Sequence, residues 1–335
     1  MQVQLTAKLE KLAHAIQKRK VLGLSPSDKQ KRGIEVTVRL ISNFPTLWER
    51  ITDQTPKGSC QWGNTLFLGE GEADLYVILN TSTHDYAGNP LPAIDLPPPD
   101  KVWGLHMEPP DYVKLFRLDQ PNEHHKISRF YTNCPDLYER YPTKYVPSPP
   151  YVLMHVDRSW DFLAKASLPQ KTETLCMISS GLKTLEGHKA RLDFIERLVS
   201  SNLEFSLWGR SNQFNKYSNY RGIAPTKWEV LSPCKYSIVV ENSIVPFYWT
   251  EKIADCLLSF SLPLYYGSPN VNKYLPEECY IPIDIHDPNC SQKIKEIIES
   301  GEYEKRLPAI LEARNKILYE QNLFAFLDRE IKASF

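Results

Sequence analysis

The chain has no surplus of either charge. Its 335 residues hold 40 Lys and Arg against 40 Asp and Glu, for a formal net charge of zero. Proteins that grip nucleic acid usually show a basic excess, so no nucleic-acid partner is expected. Long apolar runs are absent as well, and none approaches the roughly 20 residues needed to cross a bilayer. The opening Met1-Gln2-Val3-Gln4-Leu5 lacks the apolar core and small-residue cleavage site of a secretory signal. The seven cysteines, at 60, 134, 176, 234, 256, 279 and 290, show no C-x-x-C spacing. That weakens a zinc site or a thioredoxin-like motif and favours reduced thiols in a cytoplasmic protein. Cys176 and Cys256 stand in apolar stretches and read as small buried hydrophobes.

Several signatures of specific chemistry are also missing. Gly181 and Gly187 flank Leu-Lys-Thr-Leu-Glu, one residue too many for a P-loop, and His188 stands where the lysine belongs. Gly69-Glu70-Gly71 lacks the third glycine of a dinucleotide fingerprint and precedes a strand pattern. Glu123-His124-His125 is not H-E-x-x-H and reads as a solvated turn, and no G-x-S-x-G elbow occurs. No D-x-D occurs, so the usual acidic clamp for a metal–nucleotide-sugar complex is missing and no metal site is expected.

What is present divides into three parts. Residues 1–33 carry eight Lys or Arg against Glu10 and Asp28, and Leu5, Leu9, Leu12 and Ile16 recur at helical spacing. They read as a basic amphipathic helix and a polar connector. The narrow stripe, without Trp or Phe, favours packing on the first domain; peripheral contact with the inner face of a membrane is the alternative. From 34 onward, strand-like runs at 34–41, 73–79, 101–106 and 127–131 form a first domain, 34–150. Pro142, Pro147, Pro149 and Pro150 mark an extended interdomain segment. The pattern then restarts in a second domain, 151–335, with strands at 174–178, 204–207, 236–240 and 263–266 and helices at 189–200 and 250–258. Strands alternating with helices argue for parallel α/β sheets, and the repetition argues for two Rossmann-like domains facing a cleft.

The informative stretch is 234–270. The strand at 236–240 ends in Glu241-Asn242-Ser243, and in an open α/β sheet ligands bind beyond a strand's carboxyl end. Tyr248-Trp249-Thr250-Glu251-Lys252 follows, with Thr250 as N-cap. A helix N-terminus suits a pyrophosphate. Lys252 opposes the helix dipole there, a conflict that a bound anion would resolve. Tyr266-Gly267-Ser268-Pro269-Asn270 then makes a polar turn at the next strand end. Three such pieces at successive strand ends indicate a nucleotide or a phosphorylated ligand.

This stretch resembles the donor-binding signature of the family 10 glycosyltransferases, the α-1,3/1,4-fucosyltransferases. Their pattern runs Y-K-(apolar)-E-N-S, then Y-(V/F/W)-T-E-K, then P-(apolar)-Y-(W/Y)-G-(S/A/C)-P-(N/S). Ser179-Ser180, Gly187-His188, Arg191 and Trp208-Gly209-Arg210 also look like blocks of that family's donor domain. In the first half, Trp103-Gly104-Leu105-His106-Met107-Glu108-Pro109-Pro110 looks like the family's E-(S/P)-P block. The likeness is dense over 174–290 and does not cover the first thirty-odd residues. Ser180, Tyr266 and Pro109 depart from the commoner Asn, Trp and Ser.

The resemblance implies a GT-B architecture and transfer of L-fucose from GDP-fucose to a glycan hydroxyl with inversion. It implies Glu108 as general base, and Arg191 and Lys252 as pyrophosphate cations in place of a metal, so that no cofactor is needed beyond the donor. Ser179, Glu241, Asn242, Tyr248 and Glu251 complete the expected donor site, with Asn242 and Glu251 on ribose or fucose hydroxyls and Tyr248 lining the pocket. The alternatives are the same scaffold using another nucleotide sugar, or a catalytically silent nucleotide- or sugar-binding protein.

Overall fold

A computed structural model of the chain describes residues 26–44, 47–85, 89–91, 93–118 and 124–334. The helix expected over 5–16 lies outside them. Among the described residues, no helix is long and apolar enough to cross a membrane.

The first sheet has seven strands in the order β2-β3-β1-β4-β5-β6-β7. They are β1 (Val36–Ser42), β2 (Gln61–Trp62), β3 (Thr65–Leu68), β4 (Leu75–Leu79), β5 (Val102–Leu105), β6 (Arg129–Thr132) and β7 (Tyr145–Pro147). All pairings are parallel except β2 with β3. β3, β4 and β5 are buried along their whole length, as strands covered on both faces must be. The proline cluster expected to be purely a linker contributes β7. Pro147 is tolerated there because β7 is an edge strand, where a missing N–H breaks no ladder.

The second sheet runs β12-β11-β10-β8-β9, every pairing parallel. Its strands are β8 (Glu173–Ile178), β9 (Ser206–Trp208), β10 (Cys234–Val240), β11 (Leu262–Tyr266) and β12 (Ile281–Pro282). Chain order reverses between β8 and β10, which are neighbours, and in the first sheet between β1 and β4. Crevices open beyond the carboxyl ends of strands at such switch points.

The expected boundary at 335 needs correction. The helix Leu323–Ser334 returns to the first sheet, where Leu323, Phe324, Phe326, Leu327 and Ile331 join the core of β1, β4 and β5. Phe324 meets Phe67 edge-on at 4.9 Å, and Phe326 stacks on Tyr151 with ring centroids 3.6 Å apart. Asp328 accepts a hydrogen bond from Thr65 Oγ1 at 2.9 Å. The chain therefore crosses between domains twice, and the crossings touch: Val152 N donates to Gln321 O, and Leu323 N to Val152 O.

Candidate active site

At the second sheet's switch point, a cavity of about 770 Å³ is lined by Ser179, Ser180, His188, Arg191, Asn242, Glu251 and Lys252, among others. Ser179 follows β8, and Asn242 follows β10. Arg191 comes from the helix Glu186–Val199, which approaches the β10 loop so closely that a Cβ on Gly187 would sit 2.0 Å from Asn242 O. That approach lets Arg191 donate to Asn242 Oδ1 at 2.6 Å and to Ser180 Oγ at 3.2 Å. Both acceptors are neutral. Arg191 is only 4% exposed, its Nε has no hydrogen-bond partner, and no carboxylate pairs with it among the described residues. A buried guanidinium without a counter-ion is costly, and burial pushes its pKa down although Glu241, Tyr248 and Glu251 pull it up.

Thr250 caps the helix Glu251–Leu258 as expected, its hydroxyl accepting from Lys252 N. The anion at this helix start, however, is the protein's own. Glu241, 1% exposed, turns its carboxylate onto the N-terminus, accepting from Thr250 N at 2.9 Å and from Thr250 Oγ1 at 2.8 and 3.0 Å. Lys252 Nζ pairs with the same carboxylate at 3.2 Å. The dipole conflict read from the sequence is thus resolved internally, and Glu241 supports the site rather than lining the large cavity. Burial raises the Glu241 carboxyl, with Lys252 opposing. Burial would lower Lys252, but Glu241 and Glu251 outweigh it and hold the ammonium above its ordinary range.

Glu251 lies 3.5 Å from Lys252 Nζ and 4.0 Å from Lys227 Nζ. Burial would raise its carboxyl, yet these two cations win and hold it well below the usual range. Lys227 also pairs at 2.7 Å with Asp255, which is 1% exposed on its side chain and accepts from His155 N. The His188 pKa is pushed down to about 4, by burial first and then by the Arg191 and Lys252 cations.

At the first sheet's switch point, a smaller cavity of about 280 Å³ is lined by Glu108, Ser42, Phe44, Asn80 and Met107 from the first domain and by Thr250 and Glu251 from the second. Glu108 therefore faces the start of the helix Glu251–Leu258 across the cleft. Its segment is fixed from three sides. Asn80, in the left-handed region at φ 66°, accepts from Met107 N at 2.7 Å and donates to Asn43 Oδ1 at 3.2 Å. Asparagine tolerates that conformation. Asn133 donates to Glu108 O at 3.1 Å, and Pro109 and Pro110 start the next helix.

The structure thus brings Ser179, Arg191, Asn242, Glu251 and Lys252 to one cavity and Glu108 to a cavity that shares Glu251. Tyr248, expected in the pocket wall, is 2% exposed and lines neither cavity. Burial raises its phenol, and the Glu108 and Glu241 carboxylates add to the shift. Sequence reading missed Lys227, Asp255 and Asn80. Only Asn80, a turn-forming residue straight after an apolar strand, gave any signal.

Two parallel α/β domains with facing switch points and a cavity between them define the GT-B class. An α-glucosyltransferase solved with UDP and a 13-mer DNA has the same fold, with a TM-score of 0.53, 10% identity, and coverage of 89% of this chain and 99% of that one. The family likeness lies in the second domain. Residues 168–300 match the model for "Glycosyltransferase family 10 (fucosyltransferase) C-term". The 4-galactosyl-N-acetylglucosaminide 3-alpha-L-fucosyltransferase 9 of Mus musculus is 28% identical over 134 residues, 39% of this chain and 34% of that protein. The alpha-(1,3)-fucosyltransferase FucT of Helicobacter pylori is 34% identical over 97 residues, 29% of this chain and 19% of that protein. The matched segment spans about a third or less of these relatives.

Proposed function

We propose that the chain transfers L-fucose from GDP-fucose to a hydroxyl of a glycan acceptor, with inversion and without a resident metal. Glu108 takes the hydroxyl proton, the acceptor oxygen bonds to C1 of the sugar, and the C1–O bond to the diphosphate breaks. The electron pair leaves on the diphosphate, where Arg191 and Lys252 stabilise it. Asn242 and Glu251 hold ribose or sugar hydroxyls. One observation carries the reading: the Arg191 guanidinium is buried beside a large cavity with only neutral partners, and a diphosphate supplies the missing counter-charge. The largely aliphatic and aromatic wall of the small cavity, including Phe44, Leu79 and Met107, suits a deoxysugar methyl.

The test is thermal denaturation with GDP or UDP in excess EDTA. A ligand that binds only the folded state raises the melting temperature by mass action, about 2.7 kcal/mol of stability at a hundredfold excess over Kd. GDP raises the melting temperature and UDP at equal concentration does not. An equal response to UDP removes the donor assignment, and a GDP response that needs Mg²⁺ or Mn²⁺ removes the metal-free leaving-group chemistry.

A further inference from the structure

Three described residues line both cavities: Glu251 from the second domain, His155 from the linker and Arg50 from the first domain. Their meeting point is where a bond between a diphosphate and a sugar would lie if each cavity takes one of them. Lys252 is offset there by Glu241, and Lys227 by Asp255. Arg191, Arg210 and Arg50 remain as cavity-lining cations without a carboxylate partner among the described residues, and Arg50 is the one placed at the junction.

Arg50 is also held in place. It stands in the last turn of the short helix Leu47–Ile51, and its guanidinium lies over the Phe44 ring, 5.0 Å from the centroid. Its carbonyl accepts from Gln54 Nε2, and the Gln54 amide exchanges two hydrogen bonds of 2.8 Å with the Met154 backbone. The helix is thereby tied to the interdomain linker beside His155.

We infer that Arg50 is an anion-binding residue supplied by the first domain, taking a phosphate or carboxylate oxygen of a substrate at the junction of the two cavities. The anion has two chemical sources, the donor's diphosphate or an acidic group on the acceptor. The first rests on the proposed donor. In that case one ligand is gripped by Arg191 and Lys252 on one side and by Arg50 on the other, and donor binding draws the domains together.

Isothermal titration of GDP into wild type, Arg50→Ala and Arg50→Lys separates the cases, alongside KM values for neutral and carboxylate-bearing oligosaccharide acceptors. An exposed charge-assisted contact predicts that Arg50→Ala weakens GDP about tenfold, with partial recovery in Arg50→Lys and an unchanged melting temperature. Unchanged GDP affinity with a similar rise in KM confined to acidic acceptors places the anion on the acceptor and equally supports the inference. If neither quantity moves, the inference is overturned. Should wild type bind no GDP, the donor reading falls by itself and inorganic pyrophosphate becomes the probe. Weaker pyrophosphate binding in Arg50→Ala then upholds the role of Arg50, and equal binding removes it.

Discussion

The second domain lines its side of the cleft with Arg191, Lys227, Lys252, Glu251 and Asp255, backed by Glu241, whereas the first domain offers Glu108 and Arg50 in a wall of Phe44, Leu47, Leu79 and Met107. Their interiors differ in the same sense. Beneath Glu108 the first domain buries polar groups as neutral pairs, His106 with Thr132 at 2.8 Å and His124 with Tyr145 at 2.7 Å. A domain that holds an anion needs fixed positive charge, and compensating carboxylates keep its lysines folded when the ligand is absent. A domain that presents one base needs a backbone that does not move. On the proposed mechanism, charge compensation serves binding, and neutral rigidity serves the proton transfer.

The largest effect should come from removing the base. Glu108→Gln keeps size and hydrogen-bonding reach but loses basicity, and general-base catalysis is worth about 10²–10⁴-fold. Turnover falls by that factor, while GDP affinity and melting temperature hold, because Arg191 and Lys252 lie on the other domain. If turnover per folded molecule survives, the division of labour is wrong and the base lies elsewhere.

A smaller loss, confined to binding and leaving-group stabilisation, is expected from the opposite wall. Arg191→Met removes a buried charge whose partners are neutral. GDP affinity drops roughly ten- to a hundredfold, the worth of about 1.5–3 kcal/mol for a charge-assisted contact. The melting temperature of the free protein holds or rises, since an unpaired guanidinium no longer has to be desolvated. A stability loss with intact GDP binding makes Arg191 a structural residue and erases the contrast between the walls.

The second domain was the more legible half of the sequence for the same reason. Its strands come as uninterrupted apolar runs, and its polar residues follow them directly, so 236–240 with Glu241-Asn242-Ser243 marks the site locally. The Lys252 anomaly was real, but nothing in the sequence shows that Glu241, eleven positions away, supplies the anion. In the first domain, β3 is a four-residue run and β7 hides in a proline cluster, too short for periodicity to register. The apolar face of the last helix is visible in Leu323, Phe324 and Leu327, yet a hydrophobic stripe names no partner, and its return to the first sheet is a tertiary fact. Lys227 and Arg50 are single cations in polar stretches, placed at the cleft only by the fold.

The smallest effect is the response to mild acid, and it should separate the domains. Burial and His124 push His106 down to about 3, and burial and Lys144 push His124 down to about 4. His106 is enclosed by Thr132, Cys134, Phe130 and the Leu118 carbonyl, and His124 by Tyr145, Phe130 and Lys144, whose ammonium donates to the His124 carbonyl. Unfolded histidine titrates near 6.5. Between there and about 4 the unfolded chain binds more protons than the folded one, so stability present above pH 6.5 is lost as pH falls. From pH 7 to 6 each histidine contributes about 0.7 kcal/mol, and the pair shifts the folding equilibrium by about tenfold. Among the described residues the second domain contains one such group, His188. Hydrogen exchange corrected for intrinsic rates, followed at pH 7 and pH 6, should therefore show β5 and β6 losing protection while β8 and β10 change less. Equal losses in both sheets would mean that the buried histidines do not set the acid response and that the two interiors differ less than their polar groups suggest.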